Sequence, residues 1–314
     1  MNYYFAPMEG LTDSIYRRVH HTYFPGISCY YMPFLSPTMH RTLTPREKRE
    51  LPPASSVSFR AVPQILTKVS GDFLWAAEQC ARQGYDEVNL NLGCPSGTVT
   101  AKGKGAGMLR DPDALDRFLD EIFSASALPI SVKTRLGFAS NEEFTRLVEI
   151  FNRYPIKELT LHPRVRQAFY SGDVDMDSFR YLVENARIPV CYNGNLSSMG
   201  QIKAFQRAFP QVDSVMIGRG LIGDPGMLVP GGTTVSVLEG FLDALLEEYC
   251  IAFGSARNAM FRLKENWRHL LCRFEGSERL GKQLRKTTDV AEYRAVVSQI
   301  LHTLPLRQEL LPDW

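Results

Sequence analysis

The chain has no apolar run approaching the roughly 18 residues that a membrane span requires. Its first residues, MNYYFAPMEG, lack a basic region leading into an apolar stretch, so no secretory signal is read there. Its six cysteines (29, 80, 94, 191, 250 and 272) show no C-x-x-C spacing, which excludes a zinc ribbon and gives no disulfide framework. Reduced thiols and a cytoplasmic location are the expectation. The pair His20 and His21 has no ligand partner at useful spacing, and no metal is expected. An excess of one charge is also missing. Lys and Arg number 36 against 34 Asp and Glu, a formal charge of +2, so only the distribution of charge bears on a nucleic-acid partner. No repeat of 20–50 residues is evident beyond the alternation described next.

What the 314 residues do contain is an ordinary globular composition, 44% hydrophobic and 22% charged, and enough length for a barrel-sized domain plus a smaller one. Short apolar strands are expected at 2–8, 28–34, 61–67, 87–91, 130–134, 158–162, 190–193 and 214–217. Helices are expected between several of them: 13–21 capped by Asp13, 70–83 closed by Gly84, 112–123 opened by Asp111 and Pro112, and 141–153. The segment 36–56 is long, charged and poorly patterned. Strands alternating with helices over about 220 residues give an α/β chain, a TIM-type (β/α)8 barrel, although an open doubly wound sheet has the same local pattern. After Pro230, Gly231 and Gly232 the strands stop, and helices are expected at 235–253, 256–274 and 290–304. The expected division is therefore a barrel over 1–232 and an all-helical domain over 233–314.

The stretch 87–109, EVNLNLGCPSGTVTAKGKGAGML, organises the rest. Residues 87–91 alternate polar and apolar as a half-buried strand does, and Gly93-Cys94-Pro95 ends the pattern. Cys94 thus falls on a loop past the carboxyl end of a strand, followed by a glycine-rich cationic run carrying Lys102 and Lys104, read as a mobile loop. In parallel α/β proteins that end of the strands is where chemistry is built. Met8, Gln64, Asn91, Lys133, His162, Asn193, Gly218 and Arg219 also lie at or just beyond strand ends, and a barrel would gather them at one rim. Gly194 and Gly218 leave backbone N–H groups open and Arg219 adds a forked cation, a combination that suits a phosphate.

Further along, residues 257–286 carry nine basic side chains against three acidic ones, with Trp267 and His269 among them. A solvated helix face and an RNA-phosphate surface both fit that charge. Gly276 to Lys282 follows most of a P-loop, but Gln283 stands where its metal-binding hydroxyl belongs and no strand precedes it.

Asn91-Leu92-Gly93-Cys94-Pro95 followed by Gly105-Ala106-Gly107-Met108-Leu109 resembles the active-site segment of the tRNA-dihydrouridine synthases. The likeness continues through Ala6-Pro7-Met8-Glu9-Gly10, Pro63-Gln64-Ile65, Val132-Lys133-Thr134-Arg135, His162-Pro163-Arg164, Asn193-Gly194-Asn195 and Gly218-Arg219-Gly220, in family order. The resemblance implies reduction of uridine in tRNA by FMN, with NADPH as electron donor and Cys94 as proton donor. It implies cofactor contacts from Pro7, Met8, Gln64, Lys133, His162, Asn193, Gly194, Asn195, Gly218 and Arg219. Substrate contacts would come from Asn91, Arg164 and Arg166, and from the helical domain through Lys264, Lys282, Arg285 and Lys286. A monomer is expected, and tRNA is the implied substrate; uridine in rRNA, a free pyrimidine, or RNA binding without catalysis are the alternatives. Three positions depart from the family pattern: Asn89 where aspartate is common, Pro163 where glycine is common, and Asn195 where an acid is frequent.

Overall fold

The computed structural model describes residues 1–38 and 40–312. Among them, nine strands form one parallel sheet: β1 (Asn2–Phe5), β2 (Cys29–Tyr31), β3 (Ala61–Val62), β4 (Gln64–Ile65), β5 (Val88–Leu92), β6 (Ile130–Arg135), β7 (Leu159–His162), β8 (Val190–Tyr192) and β9 (Ser214–Ile217). Their spatial order is β3-β2-β1-β9-β8-β7-β6-β5-β4. The two edges, β3 and β4, are separated in the chain by Pro63 alone, so the sheet closes on itself as a barrel of eight staves, one of them broken. Proline has no N–H to give to a ladder. Its carbonyl still accepts from Asn89 N at 2.8 Å, which carries the pairing from one half of the stave to the other. The expected barrel is what the chain forms.

Helices alternate with the strands: α1 (Ser14–Tyr23), α2 (Pro45–Glu50), α3 (Ser70–Arg82), α4 (Gly97–Thr100), α5 (Pro112–Ala125), α6 (Glu143–Phe151), α7 (Met176–Asn185), α8 (Met199–Ala208) and α9 (Arg219–Gly223). The expected caps are present. Asp13 accepts from Tyr16 N at 3.0 Å, Asp111 accepts from Ala114 N at 2.9 Å with Pro112 in the first turn, and Gly84 leaves α3 at φ +86°. The segment 36–56 is better ordered than its pattern suggests, because Thr44 and Glu47 form a reciprocal capping box that starts α2. The C-terminal helices are α10 (Val235–Phe253), α11 (Ala256–Leu270), α12 (Glu278–Lys286) and α13 (Val290–Thr303). Of these, α12 has no counterpart in the sequence expectation. Among the described residues no helix is long and apolar enough to cross a membrane.

Two compact units divide the chain. One comprises Met1–Glu9, Ser28–Gly194 and Phe209–Met216, and holds the barrel strands with α3, α5, α6 and α7. The other comprises Gly10–Ile27, Asn195–Ala208 and Ile217–Trp314. Within this second unit α1 is tied to the C-terminal helices. Tyr16, His20 and Phe24 set their rings against Phe241 of α10, and Asp13 accepts from Tyr249 Oη at 2.8 Å and pairs with Arg262 at 2.6 Å.

Candidate active site

Strand alternation places two different linings inside the barrel. From β1, β2, β3, β8 and β9 come Ala6, Cys29, Tyr31, Val62, Cys191 and Met216, all buried in one cluster with Tyr4 against it. These strands are consecutive in the sheet order, and their buried side chains fill this side of the barrel with apolar and thiol groups. The facing strands β4, β5 and β6 present polar side chains instead. All five residues of β5 are buried, which corrects the half-buried reading of 87–91. Its polar face is interior, because Asn89 and Asn91 bond to Gln64 and Ser131 of the neighbouring strands.

These inward groups form a hydrogen-bonded ladder. Asn89 Nδ2 donates to Ser131 Oγ at 2.9 Å, Gln64 Nε2 donates to Asn89 Oδ1 at 2.8 Å, and Asn91 Nδ2 donates to Gln64 Oε1 at 2.7 Å. At the top of the ladder Asn91 Oδ1 accepts the backbone N–H groups of Gly93 at 3.1 Å and Cys94 at 2.9 Å. A neutral Asn89 suits the run, since an aspartate there would leave a buried charge among neutral amides. Buried polar groups of this kind are stable only when partnered, and here each amide uses the next.

Cys94 is held from the other side as well. The carbonyls of Gly93, Cys94 and Pro95 accept from Arg135 Nε at 2.8 Å, Ala106 N at 3.1 Å and Arg166 Nε at 3.1 Å. Ala106 reaches in because its neighbour Gly105, at φ +57°, has no Cβ; one would lie 3.0 Å from both Cys94 Cβ and Cys94 O. The glycine-rich run is thus two helical turns, Gly97–Thr100 and Gly105–Arg110, folded under the cysteine, and Lys104 Nζ donates to Ser36 Oγ at 3.1 Å. Cys94 itself is only partly exposed. Burial pushes its thiol above the usual range, against the opposing hydrogen bond from Ser96 N–H and the positive charges of Arg135 and Lys133. The group is therefore protonated at neutral pH, the form a proton donor needs.

Lys133 lies beside Asn91 in the β5–β6 register. It keeps some solvent access while protein surrounds it, as a side chain in a concave wall does. Burial, with the charge of Arg135, pushes its ammonium down to about 7. Among the described residues no hydrogen-bond or ion-pair partner is found for its amine. On the neighbouring strand His162 is 7% exposed and its Nε2 lies 2.8 Å from Arg164 Nη1. Guanidinium nitrogens only donate, so Nε2 accepts and the ring proton sits on Nδ1. Arg164 also donates from Nε to Ser171 O at 3.2 Å and from Nη2 to Gly172 O. Arg166, beyond its bond to Pro95, donates to Thr100 Oγ1 at 3.2 Å.

The remaining expected residues fall as follows. Pro7 and Met8 follow β1 and are half-buried. Asn193 Nδ2 donates to Met216 O at 2.7 Å, and a Cβ on Gly194 would come within 2.6 Å of Tyr192 Oη, so this glycine is required by the tyrosine. In the second unit Gly218 precedes α9, and Arg219 Nη2 donates to Asn195 Oδ1 at 3.2 Å. Asn195 adopts φ +40°, a conformation asparagine tolerates better than most residues. Lys264 Nζ donates to Thr287 O at 2.7 Å. Lys282, Arg285 and Lys286 are exposed on α12. With Gly276, Glu278, Arg279 and Gln283, Lys282 and Lys286 line an open concavity of about 600 Å³. That is the near-miss P-loop, and it is a cationic helix face with no strand before it.

Sequence reasoning gave no role to Arg135, Asn89, Ser131 and Gly105. Arg135 had a usable signal: Ser131, Lys133 and Arg135 alternate along one strand, so a charged residue two beyond Lys133 had to face the same interior. It is 1% exposed, and burial pushes its guanidinium down to about 10, still charged at neutral pH.

A family model described as Dihydrouridine synthase (Dus) matches residues 4–288. The chain belongs to that family. Among curated relatives, the tRNA-dihydrouridine synthase B of Pasteurella multocida is 28% identical over 223 residues, covering 71% of this chain and 66% of that protein. The tRNA-dihydrouridine synthase B of Vibrio vulnificus is 26% identical over 266 residues, covering 78% and 80%. The match to the Pasteurella protein spans about two thirds of its length. Among solved structures, a morphinone reductase variant in complex with tetrahydroNAD aligns at a TM-score of 0.51 with 10% identity, covering 72% of this chain and 85% of that one. This chain and that reductase share a fold, and at such identity nothing further is carried over.

Proposed function

We propose that the protein reduces uridine to dihydrouridine in tRNA, as an FMN-dependent oxidoreductase using NADPH. The observation that carries the reading is the ordered turn that holds the backbone of Cys94 on the same barrel rim as Lys133, an amine for which no partner is found among the described residues. That donor set fits a flavin: a cation without a counter-charge in a concave wall suits a ring that becomes electron-rich on reduction. Lys133, Gln64 and His162, with Pro7 and Met8, are the residues proposed to hold the ring and side chain. Asn193, Gly194, Asn195, Gly218 and Arg219 are proposed around the phosphate on the strength of the family resemblance.

When bound, FMN would supply the hydride to carbon 6 of the uracil, and NADPH would restore it. Cys94 gives its proton to carbon 5, so that one hydride and one proton saturate the double bond. Its raised pKa keeps that proton in place until the base arrives, and Asn91 anchors the backbone from which the thiol projects. The spare N–H of Asn91 Nδ2 is available to a base carbonyl. Because the acid sits on an ordered turn inside a barrel rim, the uridine has to leave its stack to reach it. The six exposed cations at Arg257, Arg268, Arg279, Lys282, Arg285 and Lys286 favour RNA over a free pyrimidine.

Replacing Cys94 by alanine tests the reading. Flavin reduction by NADPH should survive while dihydrouridine formation on tRNA falls about 10²–10⁴-fold, the usual cost of losing a general acid. Turnover within a few-fold of wild type would overturn it, as would a purified protein that takes up no FMN.

A further inference from the structure

The segment after β7 exposes two adjacent aromatics, Phe169 at 42% and Tyr170 at 46%. Tyr170 stacks on His162 and faces Arg135, and so belongs to the site already described. Phe169 does not. Its backbone lies at φ +48°, ψ −103°, which a bulky side chain rarely adopts, and its amide is held by Arg166 O at 3.1 Å. The Arg166 guanidinium lies 5.0 Å from the Phe169 ring and 5.3 Å from the Phe138 ring, and Arg110 lies 3.9 Å over the other aromatic, Phe138. The result is an alternating row, Arg110, Phe138, Arg166, Phe169. Arg166 fixes its centre, because its Nε donates to Pro95 O, one residue from Cys94, at 3.1 Å. Among the described residues neither Arg110 nor Arg166 pairs with a carboxylate.

We infer that this row is a stacking platform for the nucleobase next in the strand to the uridine that reaches Cys94. The inference rests on the RNA-reducing reading above. An exposed ring backed by a guanidinium offers a π-face to any base, and the uncompensated charge of the two arginines suits the adjoining phosphates. The row spaces a π-face and a cation a few ångströms apart, the spacing at which a strand presents its base and its phosphate. Removing a base from its own stack becomes cheaper when its neighbour restacks on the protein, which is how single-stranded RNA is commonly held. Phe169 occupies a conformation better suited to glycine and yet puts its ring in solvent.

The experiment is a binding and turnover cycle on a short single-stranded RNA containing one uridine, with an abasic site placed in turn at each flanking position. For the wild-type holoenzyme one flanking abasic site should weaken binding by about 5- to 150-fold, the range for one base–aromatic stack. Phe169→Gly, which relaxes the backbone as it removes the ring, should show the same loss on intact RNA and no further loss at that abasic position. Phe169→Tyr should restore both affinity and the abasic penalty. An abasic penalty that persists in Phe169→Gly, or unaltered affinity of Phe169→Gly for intact RNA, overturns the platform. Binding is read without turnover, so the two readings separate. Dihydrouridine formation is read separately on tRNA: a wild type that closes the binding cycle but makes no dihydrouridine in tRNA sinks the reductase reading alone, and dihydrouridine formation without the coupling sinks the platform alone.

Discussion

Asn91 accepts the Cys94 backbone N–H at 2.9 Å through Oδ1 while its Nδ2 donates to Gln64 Oε1 at 2.7 Å, so one side chain connects the barrel's amide ladder to the proposed acid. Replacing Asn91 by alanine removes these bonds and the one from Gly93 N, and leaves Gln64 Oε1 buried without its donor. A buried unsatisfied acceptor costs about 1–3 kcal/mol, to be read in denaturant unfolding. Turnover should fall in kcat more than in KM, because the thiol is misaligned while the RNA still binds. Wild-type stability and kcat together would show that the ladder neither supports the barrel nor aims Cys94.

The thiol of Cys94 is pushed above its ordinary range chiefly by burial. The reactive form is the thiolate, so at any given pH less of it is present than in an unshifted cysteine. Iodoacetamide labelling of the Cys94 peptide, followed by mass spectrometry, should therefore be slow at pH 8. Its midpoint should lie above that of a model thiol. A midpoint at or below the model value would argue for a nucleophile instead of an acid.

Lys133 titrates the other way, with its ammonium pushed down to about 7 by burial and by Arg135. The charged form predominates below that pH and is lost above it. If Lys133 charge contributes to FMN affinity, binding should weaken as pH rises through about 7, and Lys133→Met should abolish that slope. In cofactor-free protein Lys133 should also be acetylated by acetic anhydride at neutral pH ahead of exposed lysines. A pH-independent affinity in wild type would remove the lysine from cofactor binding.

The cationic face of α12 is the proposed grip on RNA. Reversing Lys282, Arg285 and Lys286 to glutamate should weaken tRNA binding and flatten its salt dependence. The slope should fall by roughly 0.7–0.9 for each RNA phosphate that the protein no longer neutralises. Filter binding at several salt concentrations measures both. Deleting the C-terminal helices is a poorer test, because it strips Phe241, Tyr249 and Arg262 from α1 and Asp13. Unchanged affinity and slope in the triple variant would move the RNA site off α12.

Most of the barrel was legible because periodicity and caps are local properties. Each of the eight expected strands is present, and Asp13, Gly84 and Asp111 do what their residue types suggest. The interior was harder to read. Alternation in 87–91 reports two faces and is silent on whether the polar one meets water or a closed barrel. Charge counting had the same weakness. Of the nine basic residues in 257–286, Arg262 pairs with Asp13, Arg273 lies 3.5 Å from Asp224, and Lys264 holds a helix-terminal carbonyl. The sequence cannot separate these from the exposed six, since spacing shows neighbours on a helix and not partners from elsewhere in the chain. Cys94 and Lys133 were found from strand ends, but Arg135 and Gly105, which hold the cysteine's turn, act through backbone carbonyls that leave no mark on residue type.

Three successive carbonyls at Gly93, Cys94 and Pro95 are each claimed by a different donor. No peptide plane in that turn rotates without giving up a bond, so the acid is a fixed post and not a moving arm. On the proposed reading, all pliancy then falls to the nucleic acid. Uridines at bends or already loosened from their neighbours come to the post cheaply, and those inside a continuous stack are refused without any gate in the protein. Selection among uridines becomes a mechanical assay of the RNA, and softening a stack next to an unreactive uridine should suffice to make it a substrate.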